Sequence, residues 1–203
     1  MLREKFDAVT DDKWITSGLN VQYMQIGDTL LVQCTCGFSD WMFNLFAAKV
    51  EYDEHGTKVK AHAGFAAMWL SIRAEIEKLT FTKLVLYSQG SAIGTAIHFN
   101  YKKRFGVEPD SNAFGTPRYF AKSSEEEVKD CFTKFKRFKN RRDVVTHTPF
   151  ESMGFIHVGE EIILPDVKFS ERPNGFRGFI QWVLGHSQKI YRIATKKYDE
   201  KWK

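Results

Sequence analysis

The sequence contains little cysteine and no long apolar run, and each absence narrows the classes of protein to which it can belong. There are 3 cysteines among 203 residues, too few for a fold held by disulfides, so a reducing cytoplasm is the expected location. No stretch of 18 consecutive apolar residues occurs, and we therefore expect no transmembrane segment. The N-terminal residues mix charged and apolar side chains and lack the apolar core of a secretion signal.

Internal repeats, linkers and low-complexity segments are also missing. Hydrophobic residues make up 43% and charged residues 27% of the chain. This is the composition of a folded globular domain, and it excludes a disordered, collagen-like or coiled-coil protein. A length of 203 residues suits one domain with a sizeable core and is short for two. We therefore predict a single domain over residues 1–203.

The pattern of apolar residues predicts strands that alternate with helices. Residues 83–87 form a short, almost wholly apolar run, which is typical of a strand buried on both faces of a parallel sheet. Apolar spacing over 62–79 predicts a helix, and two β-rich runs around Gly27-Asp28 predict an N-terminal β-hairpin. The fold class is therefore α/β, with a mostly parallel central sheet flanked by helices. Further predictions are a short helix over 1–15, a polar, turn-rich segment over 51–58, a strand over 111–116, a helix start at 123–124, a second hairpin over 155–164 and a final helix over 187–198.

The formal net charge is +5, and much of the excess lies in residues 134–142, where lysine and arginine are interleaved with Phe135 and Phe138. We interpret this stretch as a strand with a solvated basic face. Binding of nucleic acid through phosphate contacts and base stacking is one alternative, and contact with anionic lipid headgroups is another. Nucleic acid is not an expected partner, because the net charge is modest and the stretch leads directly into Asp143, a candidate catalytic acid.

The most informative segment is KLVLY followed by Ser88, Gln89 and Gly90, where a predicted buried strand leads into a helix of small residues. A serine at such a junction adopts strained backbone angles that expose its Oγ, and the helix N-terminus favours negative charge beside it. The usual pattern of such a nucleophile elbow is Gly-x-Ser-x-Gly, whereas Leu86 occupies the first glycine position here. A serine that only caps the helix is the alternative interpretation.

A nucleophilic serine needs a histidine base, and the base needs an acid that orients it. In α/β-hydrolases both follow the serine along the chain, the acid first. Asp143, at the end of a predicted strand, and His186, in a late loop, satisfy this order downstream of Ser88. The residues that spacing leaves open as alternatives are His147 and His157 as the base and Asp166 as the acid.

The histidines and cysteines show no metal-ligand spacing such as HExxH. His55 and His62 are predicted to be surface residues. The pair Cys34 and Cys36 is interpreted as buried thiols and not as a metal or redox site. We expect no metal and no cofactor.

Seven short blocks, taken in order, resemble the class 3 lipase family of α/β-hydrolases. The resemblance extends over roughly residues 20–195, and it implies an α/β-hydrolase fold with a catalytic triad of Ser88, Asp143 and His186. The blocks are DWMFNL (40–45), HAGF (62–65), LVLYSQGSAIGTA (84–96), FGTPR (114–118), NRRDVVTHTPF (140–150), GFIHVGEE (154–161) and HSQKIY (186–191).

The resemblance also implies an oxyanion hole. One donor in this family is the backbone N–H of the residue after the nucleophile, here Gln89, and the second comes from a Thr or Ser at the end of an early strand, here Thr35. Two N–H groups from different strand ends can converge on one oxygen. The segment around Thr35, VQCT, lacks the Arg and Gly of the family motif, and Tyr87 stands where the family usually has His. Leu86 fits the elbow if its side chain points away from the helix.

The activity implied by the resemblance is a lipase or esterase that cleaves carboxylic esters of lipid-like or small substrates. The stretch near 40–45 contributes a lid in fungal members, so Phe38, Trp41, Met42 and Tyr87 are predicted to bind substrate, with ordinary core packing as the alternative. The short chain favours a compact cytoplasmic enzyme, and its basic surface is compatible with peripheral contact with an anionic membrane surface. The competing interpretation is a catalytically inactive scaffold that acts as a binding protein.

Overall fold

The computed structural model describes residues 4–5, 7, 14–34, 48–167, 186 and 188–201. The helices in these ranges are α1 (Ala63–Ile76), α2 (Gln89–Phe105), α3 (Glu125–Val128) and α4 (Gln188–Lys201). The strands are β1 (Ile15–Ser17), β2 (Val21–Ile26), β3 (Thr29–Cys34), β4 (Lys49–Glu54), β5 (Thr57–His62), β6 (Lys83–Tyr87), β7 (Asp110–Phe114), β8 (Phe120–Ala121), β9 (Phe135–Lys139), β10 (Phe155–Ile156) and β11 (Glu160–Ile163).

The strands form two sheets. The seven-stranded sheet has the order β1-β2-β3-β6-β7-β9-β11, and a four-stranded sheet has the order β10-β8-β5-β4. Pairing is antiparallel from β1 to β3 and parallel from β3 to β11. The mostly parallel sheet and the N-terminal hairpin of β2 and β3 are therefore confirmed. None of the helices within the described ranges has both the length and the apolar composition needed to cross a membrane.

The central strands supply side chains to a core on each face of the large sheet. In β6, Leu84 and Leu86 pack on one face, with α1 and α2, while Val85 and Tyr87 pack on the other, with α4. This alternation follows from the two-residue period of a strand. Each large apolar side chain that is fully buried in this way contributes about 1.5–3 kcal/mol, so helices on both faces are needed to shield the strand that carries the apolar run.

Two predicted loop and hairpin assignments are wrong. Residues 51–58, predicted to be a polar, turn-rich segment, form most of the β4–β5 hairpin, which turns at His55 and Gly56. Most of its charged residues, such as Asp53, Lys58 and Lys60, are exposed, while Val59 and Ala61 face the core and Glu54 is buried. The segment is therefore rich in polar residues although it forms a pair of strands. The second predicted hairpin, over 155–164, does not form, because β10 pairs with β8 and β11 pairs with β9.

The basic stretch is β9 and the turn after it. Phe135 and Phe138 are buried and Lys136 is exposed, as predicted. Arg137, expected on the solvated face, is buried instead. Its Nε donates to the carbonyl of Val158 at 2.8 Å, and its guanidinium pairs with Glu161 at 3.3 Å. The phenylalanine rings of this stretch therefore belong to the core and are not available to stack on bases.

Candidate active site

Ser88 occupies the junction of β6 and α2 in a strained backbone conformation. Its φ of +58° and ψ of −133° lie in a region that residues with a side chain rarely adopt. The backbone N–H of Ser88 donates to the carbonyl of Phe114 in β7 at 2.9 Å, which holds the turn against the neighbouring strand. The side chain makes no capping bond to the helix, so its Oγ is directed elsewhere.

Ser88 Oγ belongs to a chain of hydrogen bonds that ends at a buried carboxylate. It lies 2.6 Å from Nε2 of His186, and Nδ1 of His186 lies 2.8 Å from Oδ2 of Asp143. Asp143 is fully buried, and its Oδ1 accepts a bond from the backbone N–H of Val145 at 2.9 Å. A proton on Nδ1, directed at the carboxylate, leaves Nε2 free to accept the proton of the serine hydroxyl. The arrangement therefore equips His186 to act as a base toward Ser88.

Two tyrosines enclose the imidazole of His186. The ring of Tyr87, in β6, stacks on it with centroids 5.4 Å apart and an interplanar angle of 7°. The ring of Tyr191, in α4, meets it edge-on at 6.3 Å, and the Tyr191 hydroxyl donates to Oδ2 of Asp143 at 2.6 Å. Burial, followed by the charge of Asp143, raises the pKa of both tyrosines well above the usual range, so both remain protonated at neutral pH.

Glycines allow the backbone to approach the site closely. Gly115 has a φ of +64°, and a Cβ there would lie 2.7 Å from Cε1 of His186 and 3.0 Å from Oδ2 of Asp143. Gly90, in the first turn of α2, faces the backbone of β3, where a Cβ would lie 2.4 Å from Cα of Gln33. Both positions therefore require the absence of a side chain.

The elbow accommodates Leu86 in a way that the sequence did not predict. The side chain of Leu86 points toward α2 and not away from it. It fills the space above Gly94, where a Cβ would lie 2.3 Å from Cδ2 of the leucine. The large residue two positions before Ser88 is thus compensated by a glycine six positions after it.

The model of the lipase (class 3) family matches residues 29–153, which is well over half of the chain. The chain belongs to the class 3 lipase family. The resemblance inferred from the seven sequence blocks is therefore confirmed. Among curated proteins, no sequence match to the chain is found.

Solved lipase structures share the fold of this class 3 lipase family member. Lipase II from Rhizopus niveus has a TM-score of 0.62 and 21% identity, over 74% of this chain and 64% of that one. The triacylglyceride lipase of Rhizomucor miehei has a TM-score of 0.59 and 19% identity, over 76% of this chain and 66% of that one. A triacylglycerol lipase whose catalytic centre is described as a serine protease triad has a TM-score of 0.59 and 18% identity, over 86% and 77%.

These comparisons establish the α/β-hydrolase fold that the sequence predicted. The chain spans just under two thirds of the length of the Rhizopus niveus and Rhizomucor miehei lipases.

The structure distinguishes among the predicted acids and bases of this class 3 lipase family member. Asp166 and His147 are exposed. His157 bonds through Nε2 to the carbonyl of Thr146 at 2.7 Å, and burial lowers its pKa to about 2. Of the candidates, Asp143 and His186 are the ones that form the hydrogen-bonded chain with Ser88.

The structure describes only some of the residues predicted to form the oxyanion hole and to bind substrate. Thr35, Phe38, Trp41 and Met42 lie outside the described residues. Gln89 begins α2 beside Ser88, and its side chain contacts Sδ of Met68 at 3.1 Å. Tyr87 packs on His186, and its assignment to substrate binding stays a prediction. Tyr191 was missed, although its place in the HSQKIY block, five residues after His186, was a signal.

The prediction that His62 is a surface residue is wrong, whereas His55 is exposed as predicted. His62 is only 3% exposed because its Nδ1 accepts the N–H of Phe65 at the start of α1 and its ring packs on Phe65. Burial lowers its pKa to about 4. His55 lies near the carboxylates of Glu54 and Glu77, a grouping with possible metal ligands. Arg73 supplies positive charge there, at 2.9 Å from Glu54 and 2.8 Å from Glu77.

Proposed function

We propose that the protein is a serine hydrolase that cleaves carboxylic esters, with Ser88 as nucleophile, His186 as general base and Asp143 as the orienting acid. The observation that carries the proposal is the continuous chain of hydrogen bonds from Ser88 Oγ through both nitrogens of His186 to the buried carboxylate of Asp143, at 2.6 and 2.8 Å. Membership of the class 3 lipase family supports it.

The proposed reaction begins with attack of Ser88 Oγ on the ester carbonyl carbon while His186 Nε2 takes the hydroxyl proton. Asp143 stays ionised and stabilises the imidazolium that forms. Collapse of the tetrahedral intermediate expels the alcohol, which receives its proton from His186. Water, activated by the same histidine, then hydrolyses the acyl-enzyme.

We propose the backbone N–H groups of Gln89 and Thr35 as the oxyanion hole. Gln89 is the first residue of α2, and the positive end of the helix dipole favours the oxyanion near it. The proposal for Thr35 comes from its place in the sequence alone.

The proposed substrates are esters of lipid-like or small acids. Solved structures with the same fold include proteins described as triacylglycerol or triacylglyceride lipases, which favours a lipid-like acyl group. Phe38, Trp41, Met42 and Tyr87 are proposed to contact the substrate. A series of p-nitrophenyl esters of increasing acyl length tests this, because a lipid-like site gives a kcat/KM that rises with chain length.

We also propose peripheral contact with an anionic membrane surface through the turn at residues 150–154. Phe150 is 54% exposed and Met153 is 41% exposed. The Lys49 ammonium lies over the ring of Phe155 next to this turn. The Arg118 guanidinium donates to the carbonyl of Pro149 at 3.1 Å and lies 3.8 Å from the carboxylate of Glu151. Apolar side chains flanked by cations favour binding to anionic lipid.

Sedimentation with vesicles tests the membrane contact. We expect binding to phosphatidylglycerol vesicles, weaker binding to phosphatidylcholine vesicles, and loss of binding in the double variant Phe150→Ser, Met153→Ser. Val107→Ser is the matched control, because Val107 is an apolar residue with 58% exposure elsewhere on the surface. Equal binding by the double variant and the wild type would refute the contact.

Labelling with a fluorophosphonate probe tests the proposed function without knowledge of the substrate. The probe should react with the wild type and fail to react with Ser88→Ala. Ser152→Ala is the control, because Ser152 is exposed on the surface turn, and it should label like the wild type. If folded wild-type protein does not react, the hydrolase proposal fails and the inactive binding scaffold replaces it.

A further inference from the structure

We propose that Tyr191 is a positioning residue that fixes the carboxylate of Asp143 and, through it, tunes the proton affinity of His186. This inference rests on the proposed function of the Ser88, His186 and Asp143 chain. Its physical basis is the 2.6 Å hydrogen bond from the Tyr191 hydroxyl to Oδ2 of Asp143. The same oxygen is the one that lies 2.8 Å from Nδ1 of His186.

The direction of the tyrosine hydrogen bond is fixed by a second contact. The backbone N–H of Asn140 donates to the Tyr191 hydroxyl oxygen at 3.2 Å, so the hydroxyl proton points at the carboxylate. Burial raises the pKa of Tyr191, which keeps that proton in place at neutral pH. With the N–H of Val145 on Oδ1, the carboxylate has donors on both of its oxygens and cannot rotate without losing one.

The tyrosine side chain is itself held rigidly. Tyr191 is fully buried in the first turn of α4. Its ring meets the rings of Tyr87 and Phe114 edge-on, at 6.0 and 6.4 Å. A rigid donor is what an acid needs if its orientation is to persist through a reaction in which charge appears on the neighbouring imidazole.

The hydroxyl also moderates the charge that His186 experiences. A donor on Oδ2 withdraws negative charge from the oxygen that faces the imidazole, and this makes the imidazolium less stable. Removing the hydroxyl should therefore favour the imidazolium and move the acid limb of the kcat/KM profile to higher pH.

Other titratable groups near the pair should not hide this effect. Tyr87, from β6, has a raised pKa and remains neutral. His147 interacts electrostatically with Asp143, but burial, then Lys139 and Arg118, lowers its pKa. Both groups are present unchanged in the variant and in the wild type, so neither accounts for a difference between their acid limbs.

Tyr191→Phe is the test, because it removes the hydroxyl and keeps the ring. We expect kcat on a p-nitrophenyl ester to fall about tenfold, as befits a lost hydrogen bond to a charged group, with KM within about twofold. The acid limb of kcat/KM should rise by about 0.5 to 1 pH unit. Tyr198→Phe, the same change two turns later on α4, is the matched control and should change neither kcat nor the acid limb of kcat/KM.

A purely structural role for Tyr191 would lower thermal stability without moving the acid limb, and that result would overturn the proposal. An unchanged kcat would overturn it as well. If Tyr191→Phe is less stable, the pH profiles of kcat/KM for the variant and the wild type are measured at a temperature at which circular dichroism shows the variant folded. Adding Tyr191→Phe to Asp143→Asn should have little further effect on the rate of fluorophosphonate labelling, because the hydroxyl acts through Asp143. Failure of the wild type to label refutes the proposed function instead, so the two failures are distinguishable.

Discussion

Gly115 lies where the imidazole of His186 meets the carboxylate of Asp143, and no side chain fits there. A Cβ would lie 2.7 Å from the imidazole, and the φ of +64° is itself unfavourable for alanine. We expect Gly115→Ala to displace His186 and to lower kcat/KM at least about tenfold, since small displacements of catalytic groups have large effects. The measurement is ester hydrolysis together with thermal unfolding.

Gly106→Ala is the matched control for Gly115→Ala, because it introduces the same backbone strain without a steric clash. Gly106 has a φ of +72° with no atom within 4 Å of the added Cβ. The Gly106→Ala variant should lose about 1–2 kcal/mol of stability and keep its activity. Equal activity of the two alanine variants would contradict the proposed role of Gly115.

Ser88 could be proposed from its local sequence, because it follows an apolar strand and precedes small residues. Asp143 and His186 were selected by chain order and by the family resemblance, since spacing alone left other acids and bases open. Tyr191 was not assigned, because its place in the HSQKIY block does not show where α4 packs, and its contact with Asp143 depends on that packing. The burial of His62 was missed for the same reason, since its ring packs on Phe65 of α1 and on Phe155 of β10.

The contact of β6 with α2 depends on a pair of residues of complementary size. Leu86 fills the space above Gly94, so Gly94→Ala should destabilise the protein by about 1–3 kcal/mol through overpacking. Leu86→Ala should cost about 2–5 kcal/mol through the cavity it leaves. In the double variant the added methyl enters that cavity, so the free energies of unfolding should be non-additive by at least about 1 kcal/mol. Urea unfolding of the four proteins measures this, and additive losses would show that the two residues are independent.

Whether a strand could be predicted from the sequence depended on how many of its faces are buried and on how far along the chain its partner lies. The β6 strand was predicted correctly because both of its faces are buried, which produces a continuous apolar run. The β4–β5 hairpin has one face in solvent, and the exposed Lys58 and Lys60 separate its inward residues Val59 and Ala61. Pairing of β11 with β9 joins segments more than twenty residues apart, and local sequence contains no information about that partner.

Acid should destabilise the whole fold, because two buried histidines and one half-buried histidine are neutral in the folded protein. Burial is the largest cause that lowers the pKa of each, to about 4 for His62 and His98 and to about 2 for His157. In the unfolded chain these groups have the ordinary pKa of 6.5. Between about pH 6.5 and 4 the unfolded chain therefore binds more protons, and stability falls as the pH falls.

The expected slope is at most about 1.4 kcal/mol per pH unit for each histidine, and stability should be nearly independent of pH just above 7. Burial raises the pKa of Glu54, so proton uptake by this carboxyl in the folded chain opposes the histidine effect, whereas carboxylates whose pKa is lowered, such as Glu75 and Glu108, titrate at lower pH. All of these carboxylates are the same in a histidine variant and in the wild type, so the difference between the two proteins isolates one histidine. His62→Asn keeps an acceptor at the start of α1 and removes one titrating group. As the pH falls, its unfolded chain therefore takes up about one proton fewer than that of the wild type, and its free energy of unfolding should fall less steeply. Urea unfolding at intervals of half a pH unit measures both slopes. Equal slopes for the variant and the wild type would mean that His62 is protonated in the folded protein, which its burial against Phe65 and Phe155 opposes.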